Sequence, residues 1–180
     1  MVEMQTMDKY TIEVLTTQFN LHKDYVVKRM SSAKELDIKF RLPCIPEDIS
    51  ENMIKFIIRK LGDTTCTWDC KGDLWSSIDK KIECKCFISK GPISFTPSSG
   101  WNEIYFFDAT EWLNDKFILY KTKLNYDSQE WKNININKTS TFSDQAKLGR
   151  RPRIVWSNLY PQIKQHTEKV FEGSFESIVS

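Results

Sequence analysis

Histidine is scarce in this chain. His22 and His166 are the whole supply, and they stand far apart. That leaves no histidine-based metal centre and no histidine-dependent nucleophilic triad. No apolar run approaches the ~20 residues needed to span a bilayer. The opening residues, "MVEMQTMDKY", show no basic segment followed by a hydrophobic stretch, so no signal peptide is expected and a cytoplasmic setting follows. Repeats and low-complexity segments are also missing. Charge of one sign is not in excess: 26 basic against 24 acidic residues give a net +2. Such a balance neither demands nor excludes a polyanionic partner, because a cleft can be basic while the rest is neutral.

Cysteine is present in an odd number, five. In an intracellular chain the expectation is reduced thiols. Cys66, Cys70, Cys84 and Cys86 offer four sulfurs for zinc, but their spacing suits a zinc knuckle poorly. Cys84 and Cys86 also alternate on the apolar side of a strand pattern.

What is plentiful is core material. Apolar residues make up 40% and aromatics 13% of 180 residues, enough for one domain with a single substantial core. Apolar spacing predicts one or two helices over 8–30 and an extended linker over 41–46. A helix is predicted to follow over 46–61, where Pro46, Glu47 and Asp48 suit its N-terminus. Short strands are expected near 66–68, 73–76 and 81–87. The Gly/Pro/Ser-rich stretch 89–100 reads as a loop. Strands follow at 102–110 and 116–124, then helices near 141–148 and 157–171. This order predicts an α/β (α+β) fold with a central mixed sheet flanked by helices.

The stretch "KKIECKCF" (80–87) alternates in the manner of a strand. Ile82, Cys84 and Cys86 share one face, and Glu83 and Lys85 share the other with Phe87. Asp73 opens the preceding strand, and the short turn "SSIDKK" brings it beside Glu83. Two carboxylates from adjacent strands, with the Cys84 carbonyl as a third ligand, form a hard oxygen site suited to Mg²⁺. Lys85 is placed to steady a water or to stabilise charge on a phosphorane. The plainer alternative makes Asp73 a turn residue and Glu83–Lys85 a pair on an exposed strand face. Asp79 is a second candidate for the first acid, but it lies too close to Glu83 to leave room for a strand.

Together with "PEDISENMIKFII", "CKGDLW", "ECKCFISKGPISFTP", "WNEIYFFDAT" and "TFSDQAKLGRRPRI", this pattern resembles the PD-(D/E)xK nucleases. More narrowly, it resembles small Type II restriction endonucleases, over roughly residues 43–175. The resemblance maps the family's two acids to Asp73 and Glu83 and its lysine to Lys85. Gly72 stands where the family's proline would be. Many such enzymes carry a further carboxylate on the preceding helix. Glu51 is the candidate here, its alternative being a solvated helix acid. The resemblance implies a Mg²⁺-dependent, sequence-specific double-stranded DNA endonuclease that leaves 5′-phosphate ends. It also implies a homodimer, since protein two-fold symmetry then matches a palindrome. On this reading 1–42 is a helical N-terminal part, 43–125 the catalytic core and 126–180 the recognition part. A repair or junction-resolving nuclease of the same fold, and a DNA-binding protein without catalysis, stay open.

"GRRPR" (149–153) concentrates three guanidinium groups, which match guanine edges or phosphates. Base reading by Arg150, Arg151 or Arg153, a generic phosphate patch and surface salt bridges are all compatible with it. Gln145 is a candidate partner for adenine or for one of these arginines. In 89–101, Lys90, Ser94, Thr96, Ser98 and Ser99 are candidate phosphate donors, unless the segment is merely a connection.

Overall fold

A computed structural model describes residues 2–68, 73–76, 80–97 and 100–180, with side chains from Thr11 onward. The chain opens with one long helix, α1 (Val2–Glu35), where the sequence allowed one or two. An extended linker leads to α2 (Glu47–Lys60), preceded by Pro46. Ile49, Met53, Ile54, Ile57 and Ile58 recur at helical spacing and are buried, which fixes the face α2 turns to the sheet.

Six strands form the main sheet: β1 (Thr67–Trp68), β2 (Leu74–Ser76), β3 (Lys80–Phe87), β5 (Glu103–Asp108), β6 (Phe117–Thr122) and β8 (Thr167–Gly173), in that spatial order. β3 and β5 are parallel, and the other pairs are antiparallel. A separate two-stranded ribbon pairs β4 (Pro92–Ser94) with β7 (Arg153–Val155). The helices α3 (Gln129–Lys132), α4 (Phe142–Lys147), α5 (Trp156–Ile163) and α6 (Phe175–Val179), with 3-10 turns at Trp112–Asn114 and Lys164–His166, complete the described elements. This is the expected mixed sheet flanked by helices. Among the described residues, no helix is long and apolar enough to cross a membrane.

Each face of the sheet has its own core. Along β5, Tyr105 and Phe107 enter a cluster with α1, α2 and α6, while Ile104 and Phe106 enter a second with the ribbon and α3–α5. A strand covered on both faces has no polar side to show, which explains the unbroken "IYFF". β3 divides likewise: Ile82 and Cys84 pack in the first cluster and Phe87 in the second.

Two sequence expectations are corrected. The helix expected over 157–171 ends at Ile163, and Thr167–Gly173 is instead strand β8, paired with β6. "TEKVF" is rich in β-branched and aromatic residues, and the free edge of β6 gives it a ladder to join. The loop expected over 89–100 contains strand β4, because Pro92–Ser94 finds a distant partner in β7.

Candidate active site

The hairpin β2–β3 sets the site. Leu74 lies opposite Ile82, so one further step of the register brings Asp73 beside Glu83. The Cys84 backbone N–H donates to Oδ2 of Asp73 at 2.6 Å, which pins that carboxylate to the edge of β3. In a strand, a residue's N–H and C=O share one edge, so the Cys84 carbonyl also faces Asp73.

Glu83 is only 6% exposed, so the exposed-surface alternative fails. A buried carboxylate needs a partner, and Lys85 supplies it: Nζ stands 2.6 Å from Oε1 of Glu83. Burial pulls the Lys85 ammonium toward neutrality. Glu83, and then Asp73, outweigh that effect and hold it above its ordinary pKa. Lys85 is therefore charged when a substrate arrives.

Glu51 is half-buried on α2, and its Oε2 accepts a hydrogen bond from the indole Nε1 of Trp68 at 3.2 Å. It is not a freely solvated helix acid. Burial, and after it the charge of Asp73, push its carboxyl up to about 7, against the pull of the indole and of Lys85.

Asp73, Glu83, Lys85 and Glu51 all line one cleft of about 1420 Å³. Each of the three acids has one oxygen held, by Cys84, Lys85 or Trp68. The carboxylates of Asp73 and Glu83, with the Cys84 carbonyl, are hard oxygen donors of the kind a divalent cation takes. No cluster of three or more His, Cys, Asp or Glu side chains among the described residues could hold a metal by itself. The expected set of Asp73, Glu83 and the Cys84 carbonyl does not need one. Cys66, Cys84 and Cys86 are free thiols, as is Cys44; Cys70 and Asp79 lie outside the described residues.

The other wall of the cleft comes from the ribbon. α4 ends in a Schellman arrangement: Arg150 N–H donates to the Gln145 carbonyl and Gly149 N–H to the Ala146 carbonyl, with Gly149 at φ +63°. The chain then runs extended. Pro152 is buried, and its carbonyl accepts from the Phe95 N–H. Period-two alternation puts Arg151 and Arg153 on the opposite side, both lining the cleft. Arg153 sits across from Ser94, while Ile93 and Ile154 face the core. Ser94 and Thr96 line the cleft too.

Not every candidate converges. Lys90, Gln145 and Arg150 are not among the lining residues. Gln145 donates from Nε2 to Ser140 Oγ. Ser98 and Ser99 lie outside the described residues. Sequence reasoning missed Arg41, on the linker that also lines the cleft, and the Trp68 hydrogen bond to Glu51. An arginine beside "LPCIP" gave no signal, because only the fold brings that linker to the cleft.

A mixed sheet that presents two acids and a lysine on a hairpin at the floor of a basic-walled cleft has the build of a restriction endonuclease. A family model described as Bsp6I restriction endonuclease matches residues 14–162, a span that contains every candidate site residue. The chain belongs to that family. Type II restriction enzyme Bsp6I of Bacillus sp. (strain RFL6) is 40% identical over 60 residues, which is 33% of this chain and 33% of that enzyme. The likeness to this relative thus spans a third of its length. No solved structure matches.

Proposed function

We propose that the protein is a Type II restriction endonuclease that hydrolyses double-stranded DNA at a specific sequence, with Mg²⁺ at the Asp73–Glu83 site. One observation carries the reading: the acids and Lys85 share their cleft with Arg153 of the ribbon and Arg151 just before it. The family name and the partly aligned relative support the same reaction class.

Asp73, Glu83 and the Cys84 carbonyl are the residues to hold the ion, with Glu51 as a further carboxylate. Bound there, Mg²⁺ supplies Lewis-acid polarisation of a phosphate oxygen and acidifies water. Lys85 lies within reach of the same place, and its ammonium stabilises the negative charge that grows on the phosphorus oxygens. Water gives up a proton as its oxygen bonds to phosphorus, the P–O3′ bond breaks, the leaving 3′-oxygen takes a proton from solvent, and the products are a 5′-phosphate and a 3′-hydroxyl. Arg151 and Arg153, with Ser94 and Thr96 beside them, meet the duplex in the cleft, and Arg41 grips phosphate there as well. Two copies acting on a palindrome complete a double-strand cut.

The test is digestion of plasmid DNA by the purified protein, with Mg²⁺ and with chelator. Discrete fragments that appear only with metal support the proposal. Binding without cutting, or cutting confined to junctions, contradicts it.

A further inference from the structure

Trp68 is 56% exposed and ends the edge strand β1, yet its one polar atom is turned inward. Its indole N–H donates to Oε2 of Glu51. On the other side, Trp68 pairs with Leu74, the residue after Asp73. One residue therefore ties α2, which carries Glu51, to the hairpin that carries Asp73, by its side chain on the first and its backbone on the second.

Burial alone does not account for this arrangement, because more than half of the indole faces solvent. An exposed indole N–H has water as an equally good partner. Holding it on a carboxylate instead acts on the carboxylate. Glutamate has three rotatable side-chain bonds, and an unrestrained one must be ordered before it can serve at a fixed site. With Oε2 occupied, Oε1 is left for another partner.

We propose that Trp68 is a positioning residue for Glu51, holding its carboxylate toward a divalent cation bound by Asp73 and Glu83. This rests on the cation-site reading above. Partners that orient metal-facing carboxylates commonly change affinity by roughly tenfold to a hundredfold when removed.

The experiment is calorimetric titration of the full chain with Mn²⁺ in the absence of DNA, for wild type, Trp68→Phe, Glu51→Gln and the double variant. Trp68→Phe should weaken Mn²⁺ binding by about tenfold or more. Glu51→Gln should also weaken it, and adding Trp68→Phe to Glu51→Gln should cost nothing further, because the two act as one unit. Unchanged affinity in Trp68→Phe beside a weakened Glu51→Gln overturns the role of Trp68 and leaves the cation site standing. An equal loss from Trp68→Phe in both backgrounds overturns it as well, since Trp68 then acts through the fold. Unchanged affinity in Glu51→Gln removes Glu51 from the site and the inference with it. If Trp68→Phe does not melt cooperatively, 3-benzothienylalanine at position 68, which keeps the shape without the N–H, carries the same comparison.

Discussion

Lys85 makes its ion pair in a place where water screens it poorly, 19% exposed beside a Glu83 side chain 7% exposed. Removing the ammonium does two things. On the proposed mechanism it strips the transition state of a positive partner, and it leaves Glu83 buried without its counter-charge. Lys85→Ala should therefore lose roughly 10²–10³ in single-turnover rate with Mg²⁺, while affinity for DNA in Ca²⁺ changes far less. A loss under about tenfold assigns Lys85 to structure alone. The three arginines separate at the same scale. Arg151→Ala and Arg153→Ala should each weaken binding to the cognate duplex, by about 1–3 kcal/mol where a guanine is read. Where only phosphate is gripped, the loss should fall equally on all sequences and lower the salt slope by about one. Arg150→Ala should change cognate binding least, since Arg150 lies outside the cleft lining. Titrations of each variant against cognate and scrambled duplexes at several salt concentrations decide the ranking.

The ribbon β4–β7 and the extended residues before it put Arg153 and Arg151 on the cleft that the acids line, and the end of α4 leads into them. Gly149 adopts the left-handed conformation with nothing within 4 Å of the position a Cβ would take, so a substitution there costs backbone energy rather than packing. Gly149→Ala should cost about 1 kcal/mol, a fall of roughly 2–4 °C in melting temperature for a chain of this size. It should also weaken cognate binding more than Gly62→Ala does. Gly62 likewise has positive φ, at +110°, but ends α2. Thermal melts beside duplex titrations separate the two effects. The elements show where the sequence speaks and where it is silent. α2, β3 and β5 were legible because their periodicity is local and strong. The shared placement of Asp73, Glu83 and Lys85 was legible because a hairpin brings them together over a short span. β4 and β7 were not, because each is three residues long and exists only through a partner some sixty positions away. β8 was read as helix because only one short turn, Lys164–His166, with no glycine or proline in it, separates it from α5. The linker that brings Arg41 to the cleft, and the exposed Trp68 that holds Glu51, depend on tertiary placement that no spacing rule encodes.

At the scale of the whole molecule, the sheet is laced across three strands by one acid. Glu103 on β5 receives Lys80 of β3 at 2.9 Å and Lys121 of β6 at 3.1 Å. Burial pushes its carboxyl up, but the two lysines outweigh that and hold it below the ordinary value of 4.5. A folded-state value below the unfolded one means stability that is present above pH 4.5 and lost as pH falls toward the folded value. Glu103→Gln should therefore melt lower than wild type at neutral pH, and the gap should narrow as pH drops below 4.5. Melting temperatures across pH 3–7 for both proteins check it, at roughly one-unit steps. The central claim concerns what the assembled cleft does to DNA. Its most direct measurement is a side-by-side digest of one plasmid by wild type, Asp73→Ala and Glu83→Ala in Mg²⁺, with the fragment ends sequenced and tested for 5′-phosphate. The expected result is that wild type gives discrete fragments sharing one terminal sequence and carrying 5′-phosphates, while both variants bind DNA in Ca²⁺ but leave the plasmid intact. Wild-type cleavage rates in either variant would contradict the account.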